Sequence, residues 1–314
     1  MLDTAGFIEE KIEEISEIDG KAVVGCSGGV DSTVAAVLVG KAMGDRLLAI
    51  YVDTGYMRKG ETETIDEIFS ELGINHVIID AKDEFYEAME GVTDPEEKRK
   101  IIGNKFIEVF EREAKDFGAD HLVQGTIAPD WIESGDEVRD TIKSHHNVGG
   151  LPEEMQLGLI EPLRDLYKDE VRKVARELGL STAEKQPFPG PGLAIRVMGE
   201  ATPERTQIVR EACAIVEEEI EKDAEEGKME LPWQYFAVLL PIKTVGVHGD
   251  RRAYGHTIAV RAVASLDAMS AHYSDIPRGV LEKISTRITN EMKKDVNRVV
   301  YDITNKPPGT IEWE

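Results

Sequence analysis

The sequence predicts an α/β protein in which a parallel sheet is covered by helices on both faces and is followed by a small α+β domain. Short runs that are apolar throughout alternate with segments of helical length up to residue 178, as in parallel sheets whose two faces are buried. Residues 186–192 contain three prolines and two glycines, a density that excludes a helix or a central strand. Since 314 residues suffice for two domains, we place these at residues 1–189 and 190–314.

The first domain is predicted to alternate strands with helices. Its strands are expected at residues 22–26, 47–52, 76–80 and 121–124. Its helices are expected at residues 32–43, 61–72, 93–117 and 168–178. The longest helix has clear boundaries, because a capping Thr93 precedes a proline in the first turn and Gly118 follows the last turn.

The second domain is predicted to mix helices and strands without strict alternation, which is typical of the α+β class. Its helices are expected at residues 202–226 and 277–294. Its strands are expected at residues 235–240, 256–263 and 298–303. A polar, proline-bearing tail, residues 306–314, closes the sequence.

The turn between the first predicted strand and the next helix, residues 27–33, carries the clearest functional signal. Its sequence, Ser-Gly-Gly-Val-Asp-Ser-Thr, combines glycines that let the backbone approach a ligand with helix-start amides that bind an anion. Ser27, Ser32 and Thr33 add hydroxyl donors. Asp31 would repel a phosphate unless a divalent cation lay between them. The turn therefore indicates a magnesium-bound nucleotide, although it lacks the Gly-Lys-Ser/Thr ending of a Walker A loop.

Two further polar segments, residues 53–55 and 125–130, follow predicted strands. Parallel sheets bind ligands at the carboxyl ends of their strands. We therefore expect these segments to share one site with the turn at residues 27–33.

The charge of the chain limits its partners. It has 37 Lys and Arg against 61 Asp and Glu, a net charge of −24, which argues against a nucleic-acid polymer as substrate but allows a small nucleotide in a local basic pocket. Such acidity also raises the hypothesis of a salt-rich cytoplasm. We expect a cytosolic protein without membrane contact, because the sequence shows neither a membrane-spanning apolar run nor a signal peptide. Its two cysteines, Cys26 and Cys213, form no metal-ligand spacing.

Several motifs together resemble the ATP-pyrophosphatase part of the GMP synthetase family, in order and along essentially the whole chain. The turn at residues 27–32 is shared by a superfamily of ATP pyrophosphatases with an adenine nucleotide alpha hydrolase-like fold. More specific are the motifs at residues 125–134, 142–150, 187–196 and 306–314. The resemblance implies an ATP-pyrophosphatase domain with an N-type pyrophosphate loop, followed by a domain for dimerisation and XMP binding.

The resemblance also implies a two-step reaction. The xanthine 2-oxygen of XMP attacks the α-phosphate of MgATP, giving an adenylyl-XMP intermediate and pyrophosphate, and ammonia then displaces AMP to leave GMP. We expect ammonia to come from a separate glutamine amidotransferase subunit, because the segment before residue 22 is too short for a glutaminase domain and neither cysteine lies in the setting of a nucleophile. A homodimer formed through the second domain is also implied.

Site residues follow from the same resemblance. Expected catalytic residues are Asp31, Asp130 and Lys143, with Asp31 and Asp130 as Mg²⁺ ligands. Expected ATP contacts are Ser27, Gly28, Gly29, Val30, Asp31, Ser32, Thr33, Val52 and Gly125. A lid over the phosphates is expected at residues 143–150, including His145, His146 and Asn147. Expected XMP contacts are Arg196, His248, Arg261, Lys306 and Glu312.

Some of these assignments have plain alternatives. Asp130 could cap a turn, Lys143 could be a solvated lysine, and Arg261 could form a surface ion pair. His248 stands where the family often has glutamine, so that a purine contact there would depend on pH. Ala128 replaces a common aromatic residue, and residues 53–58 also depart from the usual pattern.

Other functions remain open from the sequence. An NAD synthetase also adenylates and aminates its substrate, but we expect the resemblance to that enzyme to stop at residues 27–32. A tRNA-modifying ATP pyrophosphatase would require a basic face, against which the net charge argues. A module that senses nucleotides without turnover is the alternative outside enzymes.

Overall fold

The computed structural model describes residues 2–128, 157–248, 251–265 and 268–314. The chain divides into two compact units. The first comprises Met1–Thr54, Gly60–Lys82 and Gly103–Lys185, and the second comprises Gly55–Lys59, Asp83–Ile102 and Gln186–Glu314. This division differs from the expected domains, because two segments before residue 189 belong to the second unit and the last change falls at residue 185.

The segment Gly55–Lys59 shows why the sequence did not predict this division. Its backbone is held by side chains far along the chain, since Arg210 Nε donates to the carbonyl of Met57 at 3.0 Å. The Tyr56 hydroxyl in turn donates to the carbonyl of Ala201 at 3.1 Å. Contacts between residues so distant in sequence leave no local pattern.

The sheet of the first unit is parallel throughout, in the order β3-β2-β1-β4-β5. Its strands are β1 (Ala22–Cys26), β2 (Leu47–Asp53), β3 (His76–Asp80), β4 (His121–Val123) and β5 (Gly158–Ile160). The helices that contain residues of this unit are α1 (Thr4–Ser16), α2 (Val30–Met43), α3 (Glu61–Glu71), α4 (Lys82–Ala88), α5 (Pro95–Phe117) and α6 (Lys168–Glu177). The predicted α/β class is confirmed, with α1, α4 and β5 as additional elements.

The order of the strands places a ligand site. β1 lies between β2 and β4, at the point where the chain changes from building one side of the sheet to building the other. Parallel α/β sheets bind ligands at such switch points. The turn after β1 and the segment after β4 therefore flank the expected site.

Helix α2, which follows β1, is buried on nearly all sides. It packs against α1 and α6 as well as against the sheet. Its Ala- and Val-rich sequence suits this place, because small apolar side chains allow close packing around the whole helix.

The second unit combines two helices with a four-stranded sheet. Helices α7 (Pro203–Glu225) and α8 (Arg278–Glu291) accompany strands β6 (Gln234–His248), β7 (Arg251–Ala264), β8 (His272–Tyr273) and β9 (Val296–Tyr301). β7 is antiparallel to β6 and β8 and parallel to β9. This arrangement confirms the predicted α+β class.

The strands β6 and β7 are longer than predicted. Their additional residues carry apolar side chains that face solvent, including Val247, 72% exposed, and Tyr254, 68% exposed. The sequence analysis recognised only buried apolar runs and therefore missed these extensions. Among the helices of the described ranges, none has the length and apolar character that crossing a bilayer requires.

Candidate active site

The turn after β1 delivers the chain directly into the start of α2. Gly29 is the N-terminal cap of the helix in extended conformation, and no described side chain caps this end of the helix by a hydrogen bond. The first amides of α2 can therefore bind an anion, which the positive end of the helix dipole also attracts.

Gly28 is the residue of this turn that has to be glycine. Its φ is +76°, in the left-handed region, and a Cβ atom placed on it would lie 2.8 Å from Oε1 of Glu61. Gly29 has a φ of −76°, and the nearest atom to a Cβ there would be Oγ of Ser27 at 3.4 Å. Glu61, the first residue of α3, is thus packed against the backbone of Gly28.

The hydroxyl groups of the turn bind within it. Thr33 is fully buried, and its Oγ1 donates to the carbonyl of Gly29 at 2.8 Å. Ser32 Oγ donates to the same carbonyl at 3.2 Å and accepts from the amide of Ser27 at 3.4 Å. These bonds fix the shape of the turn, while the exposed Ser27 faces solvent.

Gly125 brings the segment after β4 against the start of α2. A Cβ atom on Gly125 would lie 3.1 Å from the carbonyl carbon of Asp31 and 3.2 Å from the amide nitrogen of Ser32. The structure thus places Gly125 beside the turn. Val52 is buried near the end of β2, where it pairs with Ile79 of β3.

Asp31 has one engaged and one orphaned carboxylate oxygen. Lys168 Nζ lies 2.5 Å from Oδ2 of Asp31, whereas Oδ1 is buried and has no hydrogen-bond partner among the described residues. The sequence analysis missed Lys168. Its signal was its place as the first residue of α6, because a cation is unfavourable at the positive end of a helix dipole and has to be stabilised by an anion nearby.

A second polar group lies at the carboxyl ends of β2 and β3. Asp53, 7% exposed, accepts a hydrogen bond from Thr62 Oγ1 at 2.9 Å and pairs with Lys82 at 3.2 Å. Partial burial lowers the pKa of Lys82, but the hydrogen bond to Asp53 and the charges of Asp53 and Asp80 outweigh it and leave this pKa above its ordinary value. The ammonium group therefore remains charged at neutral pH.

In the second unit Arg196 is fully buried and paired with the tail. Its Nη2 and Nε lie 2.8 Å and 3.2 Å from the two carboxylate oxygens of Glu312. The guanidinium also lies over the ring of Phe236, 4.2 Å from the centroid. Burial lowers the pKa of Arg196, but the charge of Glu312 outweighs it and raises this pKa above its ordinary value. The pair therefore stays ionised.

Arg261 is also fully buried and holds the backbone of the tail. It donates to the carbonyls of Thr304 at 2.5 Å and Thr310 at 3.0 Å, and it pairs with Asp302 at 3.2 Å. The alternative of a surface ion pair does not describe this residue. Lys306, at the start of the tail, donates to the carbonyl of Ala268 at 2.8 Å.

The remaining predicted residues are not all described. Asp130, Lys143, His145, His146 and Asn147 lie outside the described residues. His248 is the last residue of β6, but its side chain lies outside the described part. Their expected roles stay predictions.

Both cysteines are buried and free. Burial raises the pKa of Cys26 to about 12, and burial also raises the pKa of Cys213. Neither thiol is ionised at neutral pH, and a nucleophilic cysteine has to be a thiolate.

Two family models match parts of the chain. The model for the GMP synthase C terminal domain matches residues 218–313, and the model for NAD synthase matches residues 2–108. The second match extends beyond residues 27–32, where we expected the resemblance to NAD synthetase to stop. A solved structure of NMN synthetase from Francisella tularensis aligns with a TM-score of 0.47 and 16% identity, covering 73% of this chain and 88% of its own.

Close relatives match the chain along its length. A protein from Thermoplasma acidophilum, named as the type-B subunit of glutamine-hydrolyzing GMP synthase, is 57% identical over all of both chains. The protein of the same name from Pyrococcus furiosus is 61% identical, covering 98% of this chain and 97% of its own. Such identity over the full length extends to both units, including the turn after β1 and the C-terminal tail. The chain therefore belongs to the family of type-B GMP synthase subunits.

Proposed function

We propose that this chain catalyses the ATP-dependent amination of XMP to GMP through an adenylyl-XMP intermediate, with release of AMP and pyrophosphate. It is a carbon–nitrogen ligase of purine nucleotide biosynthesis. The observation that carries the proposal is the turn after β1, where uncapped helix amides, Gly28 and Gly125 form an anion cradle at the switch point of the sheet. Full-length relatives named as subunits of GMP synthase support the same reaction.

The cradle suits the bond that breaks. Attack on the α-phosphate of ATP releases pyrophosphate, and donors that bind the β- and γ-phosphates stabilise this leaving group. Val52 and Gly125 are proposed to lie beside the adenine. We add Lys168 to the proposed site, because its half-exposed ammonium group lies at the cradle beside Asp31 and can bind phosphate oxygens.

Magnesium fits the residues that are present. Asp31 keeps a buried carboxylate oxygen without a partner among the described residues, and Mg²⁺ is commonly held by one or two carboxylates together with substrate phosphates. Accordingly, no group of three or more His, Cys, Asp or Glu residues forms a separate metal site in the described ranges. Asp31, with Asp130 as the proposed second ligand, would hold Mg²⁺, which neutralises charge on the departing pyrophosphate.

The tail is proposed to form the XMP site. Glu312 is the candidate for contact with the purine, and Arg196 behind it fixes the orientation of its carboxylate. Arg196 and Arg261 are buried and engaged with the tail, so we propose that they position it rather than bind the XMP phosphate directly. Lys306 and His248 remain proposed contacts to XMP.

The segment beyond the described residues completes the proposal. Lys143 is proposed to stabilise the charge that develops during adenylyl transfer. His145, His146 and Asn147 are proposed to belong to a lid over the phosphates.

Partners follow from the reaction. We propose that a separate glutamine amidotransferase subunit supplies ammonia, because the relatives are named as one subunit of a glutamine-hydrolyzing enzyme. The buried, protonated state of both cysteines supports this division of labour. We also propose a cytoplasmic homodimer formed through the second unit, which exposes Ile242, Val247 and Tyr254 on β6 and β7.

The reaction is tested with XMP, MgATP and ammonium while GMP and pyrophosphate are measured. We expect equal amounts of both products, no pyrophosphate without XMP, and no GMP when glutamine replaces ammonium. Release of pyrophosphate that does not require XMP would contradict the assignment, and binding of XMP and ATP without turnover would favour a sensing module. Light scattering after size-exclusion chromatography tests the dimer, and a monomeric mass would reject it.

A further inference from the structure

Lys98 on α5 is a fully buried lysine without a part in the reaction proposed above. Lysine is rarely buried to this extent unless it is paired. Its ammonium group has three donors, and three acceptors surround it. These are the carbonyl of Ala194 at 3.2 Å, the carbonyl of Val197 at 2.7 Å, and Oε2 of Glu314.

Glu314 is held equally completely. Its side chain is 5% exposed, and its second carboxylate oxygen, Oε1, accepts a hydrogen bond from the amide of Gly199 at 3.0 Å. Its backbone oxygen accepts a hydrogen bond from Arg99, the neighbour of Lys98 on α5. The pair is therefore a built site in the second unit and not a loose surface contact.

The acceptors of Lys98 come from the two chain segments that carry the pair of Arg196 and Glu312. Ala194 and Val197 flank Arg196 in sequence, and Glu314 is separated from Glu312 by Trp313 alone. One ammonium group thus joins both segments beside the place where Arg196 meets Glu312. Removing the ammonium group would free the tail on one side of this place.

We infer that Lys98 is a positioning residue for the XMP site, which holds Glu314 and thereby fixes Glu312 against Arg196. The inference rests on the proposed role of Glu312 in XMP binding. A buried ammonium group without its carboxylate is strongly unfavourable, so Lys98 and Glu314 stabilise the docked tail only together. Burial lowers the pKa of Lys98 in spite of Glu314, which agrees with a lysine that depends on this partner for its charge.

The inference is tested with Lys98→Met, Glu314→Gln and the double variant. We expect each single variant to raise the KM for XMP about ten- to hundredfold, as for the loss of a hydrogen bond to a charged group, and to change the KM for ATP less than twofold. The double variant should raise the KM for XMP no further, because each change breaks the same contact. Lys105→Met is the matched control, since Lys105 forms an exposed pair with Glu108 on the same helix.

Fluorescence of Trp313 gives a readout that does not depend on turnover. Trp313 lies between Glu312 and Glu314, and its Nε1 donates to Asp302 at 3.0 Å. With Trp131→Phe and Trp233→Phe, Trp313 is the remaining one of the three tryptophans. Lys98→Met and Glu314→Gln should shift its emission to longer wavelength as the tail leaves its place, whereas Lys105→Met should not.

Three outcomes would overturn the inference: unchanged emission and unchanged KM for XMP in Glu314→Gln, equal increases of the KM values for XMP and ATP, or additive effects in the double variant. If Lys98→Met does not fold, Glu314→Gln decides the question alone. An enzyme without XMP-dependent turnover would refute the proposed function, while the emission of Trp313 would still show whether Lys98 holds the tail.

Discussion

Asp31 at the start of α2 and Lys168 at the start of α6 form an ion pair, with 2.5 Å between Oδ2 and Nζ. Each charge lies at the first turn of a helix, where the dipole favours an anion and disfavours a cation. Asp31 thus stabilises Lys168, and both groups lie at the turn that is proposed to bind ATP. The orphaned Oδ1 of Asp31 leaves this carboxylate able to bind a metal ion as well.

Asp31→Asn should reduce XMP-dependent release of pyrophosphate about hundredfold or more, as for the loss of an electrostatic contact to a transition state. The amide keeps the size of the side chain but loses the charge that Mg²⁺ requires. Calorimetric titration with ATP, with and without Mg²⁺, gives the second readout. Tighter binding of ATP in the presence of Mg²⁺ should be lost in the variant, and an unchanged effect of Mg²⁺ would reject Asp31 as its ligand.

Lys168→Met should raise the KM for ATP roughly tenfold, because the variant loses a cation at the phosphate cradle. Lys173→Met on the same helix is the control, since Lys173 pairs with Asp169 on the surface at 3.2 Å. Such exposed pairs contribute little to stability or binding. Equal KM values for ATP in the two variants would show that Lys168 does not bind phosphate.

Gly28→Ala should destabilise the protein by about 1–3 kcal/mol and weaken ATP binding. Its Cβ would be placed at a positive φ and 2.8 Å from Glu61 Oε1. Gly29→Ala is the matched control for folding, because Gly29 has a negative φ and its Cβ would meet only Ser27 Oγ, at 3.4 Å. Urea unfolding compares the two variants, and equal losses of unfolding free energy would contradict the role given to Gly28.

The sheet, its order of elements and the turn after β1 could be predicted from the sequence because they depend on local patterns. The buried strands β1 and β2 are continuous apolar runs, which predict strands within a residue or two of the observed bounds. The turn was recognisable since its glycines and Asp31 stand between such a run and a helix.

Other features depend on contacts that the sequence does not display. Lys98 looks like one of many charged residues on a helix, yet it is fully buried because Glu314 reaches it from the far end of the chain. Arg196 and Arg261 were predicted to bind the ligand, but sequence alone could not show that their donors are engaged with the tail. Distant partners of this kind become visible only when the chain is folded.

Glu312→Gln should lower the unfolding free energy by about 1–3 kcal/mol and raise the KM for XMP. The change leaves the buried charge of Arg196 without its counter-ion, which is costly in a low-dielectric interior. Glu291→Gln is the control, because Glu291 pairs with Arg287 on the surface of α8 at 2.9 Å. A variant with normal stability and a normal KM for XMP would remove Glu312 from the proposed site.

Cys26 predicts how stability changes at alkaline pH. Burial raises the pKa of its thiol from 9.0 to about 12, so the folded protein keeps a proton that the unfolded chain loses above pH 9. Unfolding therefore releases a proton in this range, and the free energy of unfolding should fall as the pH rises from 9 towards about 12. The contribution of one thiol reaches at most about 1.4 kcal/mol per pH unit. Cys26→Ala should flatten this fall in urea unfolding measured at neutral and alkaline pH, and an equal slope in the variant would assign the alkaline loss to other groups, such as the buried Tyr51 whose pKa is also raised by burial.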